Sequence, residues 1–261
     1  MKTITTLAEK GGVGKTTVAA NAAYLSARDG HKTLLIDLDS QGNASSLYRP
    51  DHKELSPSIA DFFSQRGYDI TRCINPAMID GIEVENFHVA HSNLALQSAV
   101  NAIPVRGPAR SQMLANALKG LDYDYVFIDC PPSSDDAVIN AIAAATTMIV
   151  PVEMGGFAAD SIQTVLDLVT DSKGYASPIE MLESEKLFFV LNKLDGRTKL
   201  LNRKIEEDLE PVKSYIAKAT LRVSSQMPMA TNSLKPLALY SKDSELNKDY
   251  EEMMKEVVYG N

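Results

Sequence analysis

The chain has 261 residues, 44% hydrophobic and 23% charged, enough to bury a sizeable core without disulfide or metal staples. Its 26 basic and 34 acidic side chains leave a formal charge of −8, which taken alone argues against nucleic acid or anionic membrane as a partner. Two separated cysteines, Cys73 and Cys130, exclude a disulfide framework and suit a reducing compartment; no apolar run approaches the roughly 18 residues of a membrane span, and the first residues do not read as a signal peptide. The expectation is a soluble cytoplasmic protein.

In chain order, a β-rich run at 3–8 leads into a glycine loop at 11–14. Residues 16–28 then carry Val18, Ala22 and Leu25 at helical spacing and stop at Gly30. A second apolar strand at 33–37 completes a strand–loop–helix–strand unit, which requires a parallel sheet. Residues 48–107, interrupted by Pro50, Pro57, Pro76 and Pro104, give no readable pattern. Beyond them strands are predicted at 125–129, 148–151 and 187–192, and helices at 136–145, 158–169, 200–217 and 246–258. Apolar strands alternating with helices predict an α/β three-layer sandwich with a mostly parallel central sheet. No linker or repeat interrupts it, so a single domain over 1–261 is expected.

The glycine loop carries the chemistry. Lys10-Gly11-Gly12-Val13-Gly14-Lys15-Thr16-Thr17 lies between a predicted strand and a predicted helix. Glycines let backbone N–H groups close around phosphate oxygens, and the helix N-terminus adds a favourable partial charge. Lys15 can reach β- and γ-phosphates, and the Thr16 hydroxyl can ligate Mg²⁺. The common pattern G-x-x-x-x-G-K-[ST] fails at its first glycine, where Glu9 stands, and Lys10 opens the glycine run instead.

With that lysine the loop resembles the deviant Walker A group of P-loop NTPases, whose signature is K-G-G-x-G-K-[ST]. The group includes ParA partition ATPases, MinD division-site regulators, nitrogenase iron protein and arsenite-pump ATPases. In the group the first lysine reaches the partner's ATP in a nucleotide-sandwich dimer, so the match at Lys10 implies an ATP-dependent homodimer. The logic is that of an arginine finger supplied in trans.

Two further strand ends carry carboxylates, where ligands sit in open α/β sheets. Asp37-Leu38-Asp39-Ser40-Gln41-Gly42-Asn43 resembles the ParA pattern D-x-D-P-Q-x-N, with Ser40 in place of the proline. That match implies that Asp39 positions the attacking water and that Asp37 supports the Mg²⁺–phosphate region. Phe127-Ile128-Asp129-Cys130-Pro131-Pro132 resembles the ParA Walker B string, which makes Asp129 a magnesium residue. Asn192, after the strand at 187–192, matches the position that reads the adenine edge in the family. His88 and His91 have i,i+3 spacing but no third ligand, and no metal site is expected there.

Within the group, the cysteines do not fit the paired cluster ligands of nitrogenase iron protein or the thiol-rich sites of arsenite pumps. MinD-like proteins end in a basic amphipathic helix, whereas this chain ends in the acidic stretch 249–261. ParA remains, in its small form, because the loop at residue 10 leaves no room for a preceding helix-turn-helix module. The resemblance implies an ATP- and Mg²⁺-dependent hydrolase with slow intrinsic turnover, nucleoid-associated in the cytoplasm. It further implies nonspecific double-stranded DNA as track, a ParB-like or adaptor protein as stimulator, and no membrane. The rival reading is a MinD-like regulator or a protein-only ATP-switched scaffold.

The bulk charge conceals an asymmetry that fits this reading. Residues 193–235 hold nine Lys/Arg against five acids, net +4, leaving −12 for the remainder. Such a segment is the footprint of a nonspecific DNA binder. Lys199, Arg203, Arg222 and Lys235 are the expected contacts.

Overall fold

The computed structural model describes residues 1–49, 51, 53, 55–153, 158–195, 197, 207 and 209–260. β1 (Lys2–Thr6) ends at the glycine loop, from which α1 (Lys15–Arg28) starts, and β2 (Thr33–Asp37) follows. After α2 (Asn43–Tyr48) and α3 (Ile59–Ser64) come a hairpin of β3 (Ile74–Ile79) and β4 (Ile82–Ala90), then α4 (Ala95–Asn101) and α5 (Met113–Leu118). The alternation resumes with β5 (Tyr125–Asp129), α6 (Asp136–Ala144), β6 (Thr147–Glu153), α7 (Ala158–Lys173), α8 (Pro178–Ser184) and β7 (Leu187–Leu194). The last part holds β8 (Leu221–Arg222), α9 (Gln226–Asn232), α10 (Leu237–Tyr240) and α11 (Glu245–Met253), which runs on as a π-helical turn, Met254–Tyr259.

Among the described residues one sheet forms, in the order β3-β4-β2-β5-β1-β6-β7-β8. β3 pairs antiparallel with β4; the other pairings are parallel. Strand alternation divides the core between the two faces. Leu34, Ile36, Val126, Ile128, Met148 and Val150 face the layer of α3–α8. Leu35, Phe127, Ile149 and Val190 face α1 and the C-terminal helices. α1 lies close to the sheet because its inner face is largely alanine: Ala19, Ala20, Ala22 and Ala23 are all buried.

Two expectations are corrected. The unreadable stretch 48–107 contains a hairpin whose Asp80 and Gly81 both have positive φ (53° and 77°), as a tight two-residue connection requires. The expected helix over 200–217 is not continuous: residues 198–206 and 208 lie outside the described set, and Glu210–Tyr215 is a 3₁₀ turn. Pro211 stands at its start, where the missing N–H is tolerated but an α-helix arriving from 200 would be broken.

The topology brings the site together. β2, β5 and β1 are neighbours, so Asp37 stands beside Asp129, and Asp129 beside Thr6, at the carboxyl ends of three adjacent strands. Those ends border the loop that feeds α1.

Candidate nucleotide-binding site

The loop owes its shape to its glycines. Gly12 and Gly14 have φ of +79° and +101°, conformations that a side chain resists. At Gly14 a Cβ would also overlap the Asn192 amide nitrogen. α1 begins directly after Gly14 with no side-chain cap, which leaves its first-turn N–H groups for an anion. Its other end is closed conventionally, with Gly30 at φ +90° and its N–H donating to the Ala27 carbonyl (3.0 Å).

Lys15 is buried, and its Nζ donates to the Lys10 carbonyl at 3.1 Å. Burial lowers its pKa, opposed by the charges of Asp129 and Asp39 nearby. The Lys10 side chain, by contrast, is exposed at the mouth of the loop.

The two strand-end carboxylates differ sharply in their partners. Asp37 accepts three hydrogen bonds: from Asp39 N (3.0 Å), Ser45 N (2.8 Å) and Ser45 Oγ (2.7 Å). Burial nevertheless pushes its pKa up to about 6. Asp129 is fully buried, and among the described residues neither of its oxygens has a partner at good hydrogen-bond geometry. Its pKa is raised well above the usual carboxylate range, by burial first and the Asp37 charge second; the Thr16 hydroxyl and the Lys15 ammonium oppose the rise. A divalent cation is the group that such an orphaned carboxylate lacks, so the residues present fit Mg²⁺. Asp37 instead holds the turn that carries Asp39, which is half-buried and accepts from Gln41 N at 2.9 Å.

Asn192 sits beneath the loop and is nearly buried. Its Nδ2 donates to the Val13 carbonyl at 2.7 Å, while its Oδ1 accepts from Lys193 N. It also borders a cleft of about 390 Å³, with Thr17 on one side and Val223, Met227, Pro228 and Tyr250 as an apolar wall. A flat base fits such a cleft, with an apolar wall and few polar groups. Residue types alone gave no sign of this wall, because it comes from the C-terminal segment around α9. Ser45 and Lys193 were likewise missed. Ser45 shows itself only as a hydroxyl on the helix that follows the acidic turn, Lys193 only by its place next to Asn192.

The expected DNA contacts are not assembled in this way. Arg222 donates to Asp249 through Nε and Nη2, both at 2.7 Å, and lies 3.7 Å from Glu245. Asp249 is 7% exposed, so Arg222 ties β8 to α11 rather than standing ready for a phosphate. Lys235 pairs with Asp80 at 2.7 Å. Lys199 and Arg203 lie outside the described residues. Local acids therefore answer much of the positive charge that a linear count assigns to this segment.

Known proteins resemble this chain in sequence and in fold. The sequence model of the AAA_31 family, described as an AAA domain, matches residues 1–178. The chain is 30% identical over 252 residues to the sporulation initiation inhibitor protein Soj of Bacillus subtilis, covering 95% of each chain. It is 27% identical to the chromosome partitioning protein ParA of Caulobacter vibrioides, covering 96% of this chain and 91% of that one. In fold it resembles the plasmid partition protein BB_S35 of Borrelia burgdorferi bound to AMPPNP, with a TM-score of 0.76, 21% identity and 97% of each chain covered.

Proposed function

The chain belongs to the AAA_31 family and, within it, to the ParA/Soj partition ATPases, and we propose that it is an ATP-hydrolysing switch that positions a cargo along DNA. The observation that carries this reading is the orphaned, buried Asp129 beside Lys15 and Thr16, at the foot of an uncapped helix and its glycine loop. ATP phosphates would lie on Gly11, Gly12, Val13 and Gly14 and the first turn at Lys15, Thr16 and Thr17, with the base toward the Asn192 side and its apolar wall. Thr16 and Asp129 would hold Mg²⁺, with Asp37 as support; the ion supplies charge neutralisation at the phosphates. Lys15 answers β- and γ-phosphate charge, and Asp39 orients the attacking water.

Lys10 gives the switch its dimer dependence. Its side chain is exposed, and in the dimer that the family resemblance implies it would meet the phosphates of a second copy. Binding of nonspecific double-stranded DNA by the ATP dimer would rest on those cations of segment 193–235 that acids elsewhere in the chain leave unanswered, doubled by two-fold symmetry. A ParB-like or adaptor protein would stimulate slow intrinsic turnover, and the cargo would be a plasmid, a chromosome origin or a protein assembly. The C-terminal helix does not favour a membrane role: Leu246, Tyr250, Met253, Met254, Val257 and Val258 are all buried in the core. Among the described residues no helix is long and apolar enough to cross a membrane.

The test is retention on nonspecific DNA with ATP, ADP or no nucleotide. Retention with ATP alone, weakening steeply with salt, is expected. Equal retention in all three states would overturn the switch.

A further inference from the structure

The end of β7 makes two contacts with the glycine loop that nucleotide chemistry does not itself require. Lys193 Nζ donates to the Gly12 carbonyl at 2.7 Å, and Asn192 Nδ2 donates to the Val13 carbonyl at 2.7 Å. Lys193 is kept over the loop by Glu153, whose Oε2 lies 3.1 Å from Nζ. Glu153 ends β6 and is in register with Asn192. The backbone is shaped for this. β7 shifts register against β8 between Asn192 and Leu194, and Lys193, between them, has φ +56°, a left-handed conformation costly for a lysine.

A trans peptide sets its C=O and N–H in opposite directions. A donor that holds the Gly12 carbonyl toward β7 therefore turns the Val13 N–H away from β7. Asn192, on the Val13 carbonyl, does the same for the Gly14 N–H. These are amides that a phosphate-cradling loop must present, and in a glycine-rich segment the peptide planes would otherwise turn freely. We propose that Asn192 and Lys193 form a two-point clamp that holds the glycine loop ready for an anion, with Lys193 a positioning residue and Glu153 its counter-charge. Pre-setting the loop removes part of the ordering cost of binding. The inference rests on the nucleotide reading of this site for its purpose, but the clamp itself is measurable without a nucleotide.

The experiment measures backbone ¹⁵N order parameters on the full chain without nucleotide, comparing wild type with Lys193→Met, Lys193→Arg and Asn192→Ala. The clamp predicts rigid Val13 and Gly14 amides in the wild type, at about 0.85, falling below about 0.6 at Val13 in Lys193→Met. Order parameters in β1 and the middle of α1 should not change, and Lys193→Arg should restore the wild-type values. Asn192→Ala should loosen Gly14 chiefly. Affinity for inorganic tripolyphosphate should fall about tenfold in Lys193→Met, the worth of one charge-assisted hydrogen bond. Unchanged loop order parameters would overturn the clamp. So would an equal fall across β1 and α1, which would mean that Lys193 serves overall stability. Failure of the wild type to bind ATP would overturn the nucleotide reading instead, leaving the order parameters to decide the clamp.

Discussion

Asp37 and Asp129 stand side by side at the ends of β2 and β5, yet among the described residues Asp37 accepts three hydrogen bonds and Asp129 none of good geometry. Burial raises the pKa of both carboxylates; the Asp37 charge adds to the rise at Asp129, and the Asp39 charge to that at Asp37. The arrangement leaves one carboxylate to organise the turn carrying Asp39 and the other in want of a cation.

That want has a stability cost. A buried carboxylate with a raised pKa binds its proton more tightly when folded, so it lowers stability as pH rises through its folded pKa. Asp129→Asn should therefore stabilise the nucleotide-free protein at pH 8, by about 1–3 kcal/mol. The gain should fade as pH falls and Asp129 takes up its proton in the wild type. Thermal melts across pH without magnesium check this. The same variant should lose magnesium-dependent ATP turnover, a trade of function for stability.

Asp39 sits half-buried on the turn, where its side chain accepts from Gln41 N and its charge still acts on Lys15 and Asp129. Asp39→Ala should keep nucleotide affinity within a few-fold and lose turnover by about 100- to 10,000-fold, the usual worth of a proton-handling or water-orienting group. Single-turnover phosphate release alongside ATP binding separates the two effects. Normal hydrolysis would remove Asp39 from the chemistry.

The exposed Lys10 side chain should matter only between two copies. Lys10→Ala is expected to bind ATP as a monomer with little change but to fail to dimerise. Light scattering in ATP, with Asp39→Ala as the slow-hydrolysing reference, reads this directly.

Arg222 should prove structural. Removing it leaves Asp249, among the described residues, with the backbone N–H of residue 222 alone, so Arg222→Ala should destabilise by about 1–3 kcal/mol. DNA retention by the ATP-loaded variant should stay within about twofold of wild type. Removal of a side chain that does bind a DNA phosphate would instead lower the salt slope by about one unit. Urea unfolding and a salt titration of DNA binding measure the two.

Much of this was legible in residue order alone. Strands at 33–37 and 125–129 match β2 and β5, because uniform apolar runs ending in Asp leave little choice of register. The glycine loop was legible because its residue types are dictated by the conformations and donors it needs. The β3–β4 hairpin was hidden by polar, half-exposed strands with Pro76 among them, although Asp80-Gly81 marked its turn. Charge counting in 193–235 could not show these pairings for a different reason: Asp80 and Asp249 lie far from Lys235 and Arg222 in sequence but beside them in space. The role of Asn192 beneath the loop could not be read either, since it depends on β7 ending opposite Val13.

If this glycine loop and Asp129 bind and hydrolyse Mg·ATP, phosphate release from ATP by wild type and Lys15→Ala, with magnesium and with chelator, will show it. Release by the wild type is expected only with magnesium. Lys15→Ala should lose about 2–5 kcal/mol of ATP affinity, thirtyfold or more, and its turnover with it. Equal release with chelator, or undiminished release by Lys15→Ala, would remove Mg·ATP hydrolysis from this site.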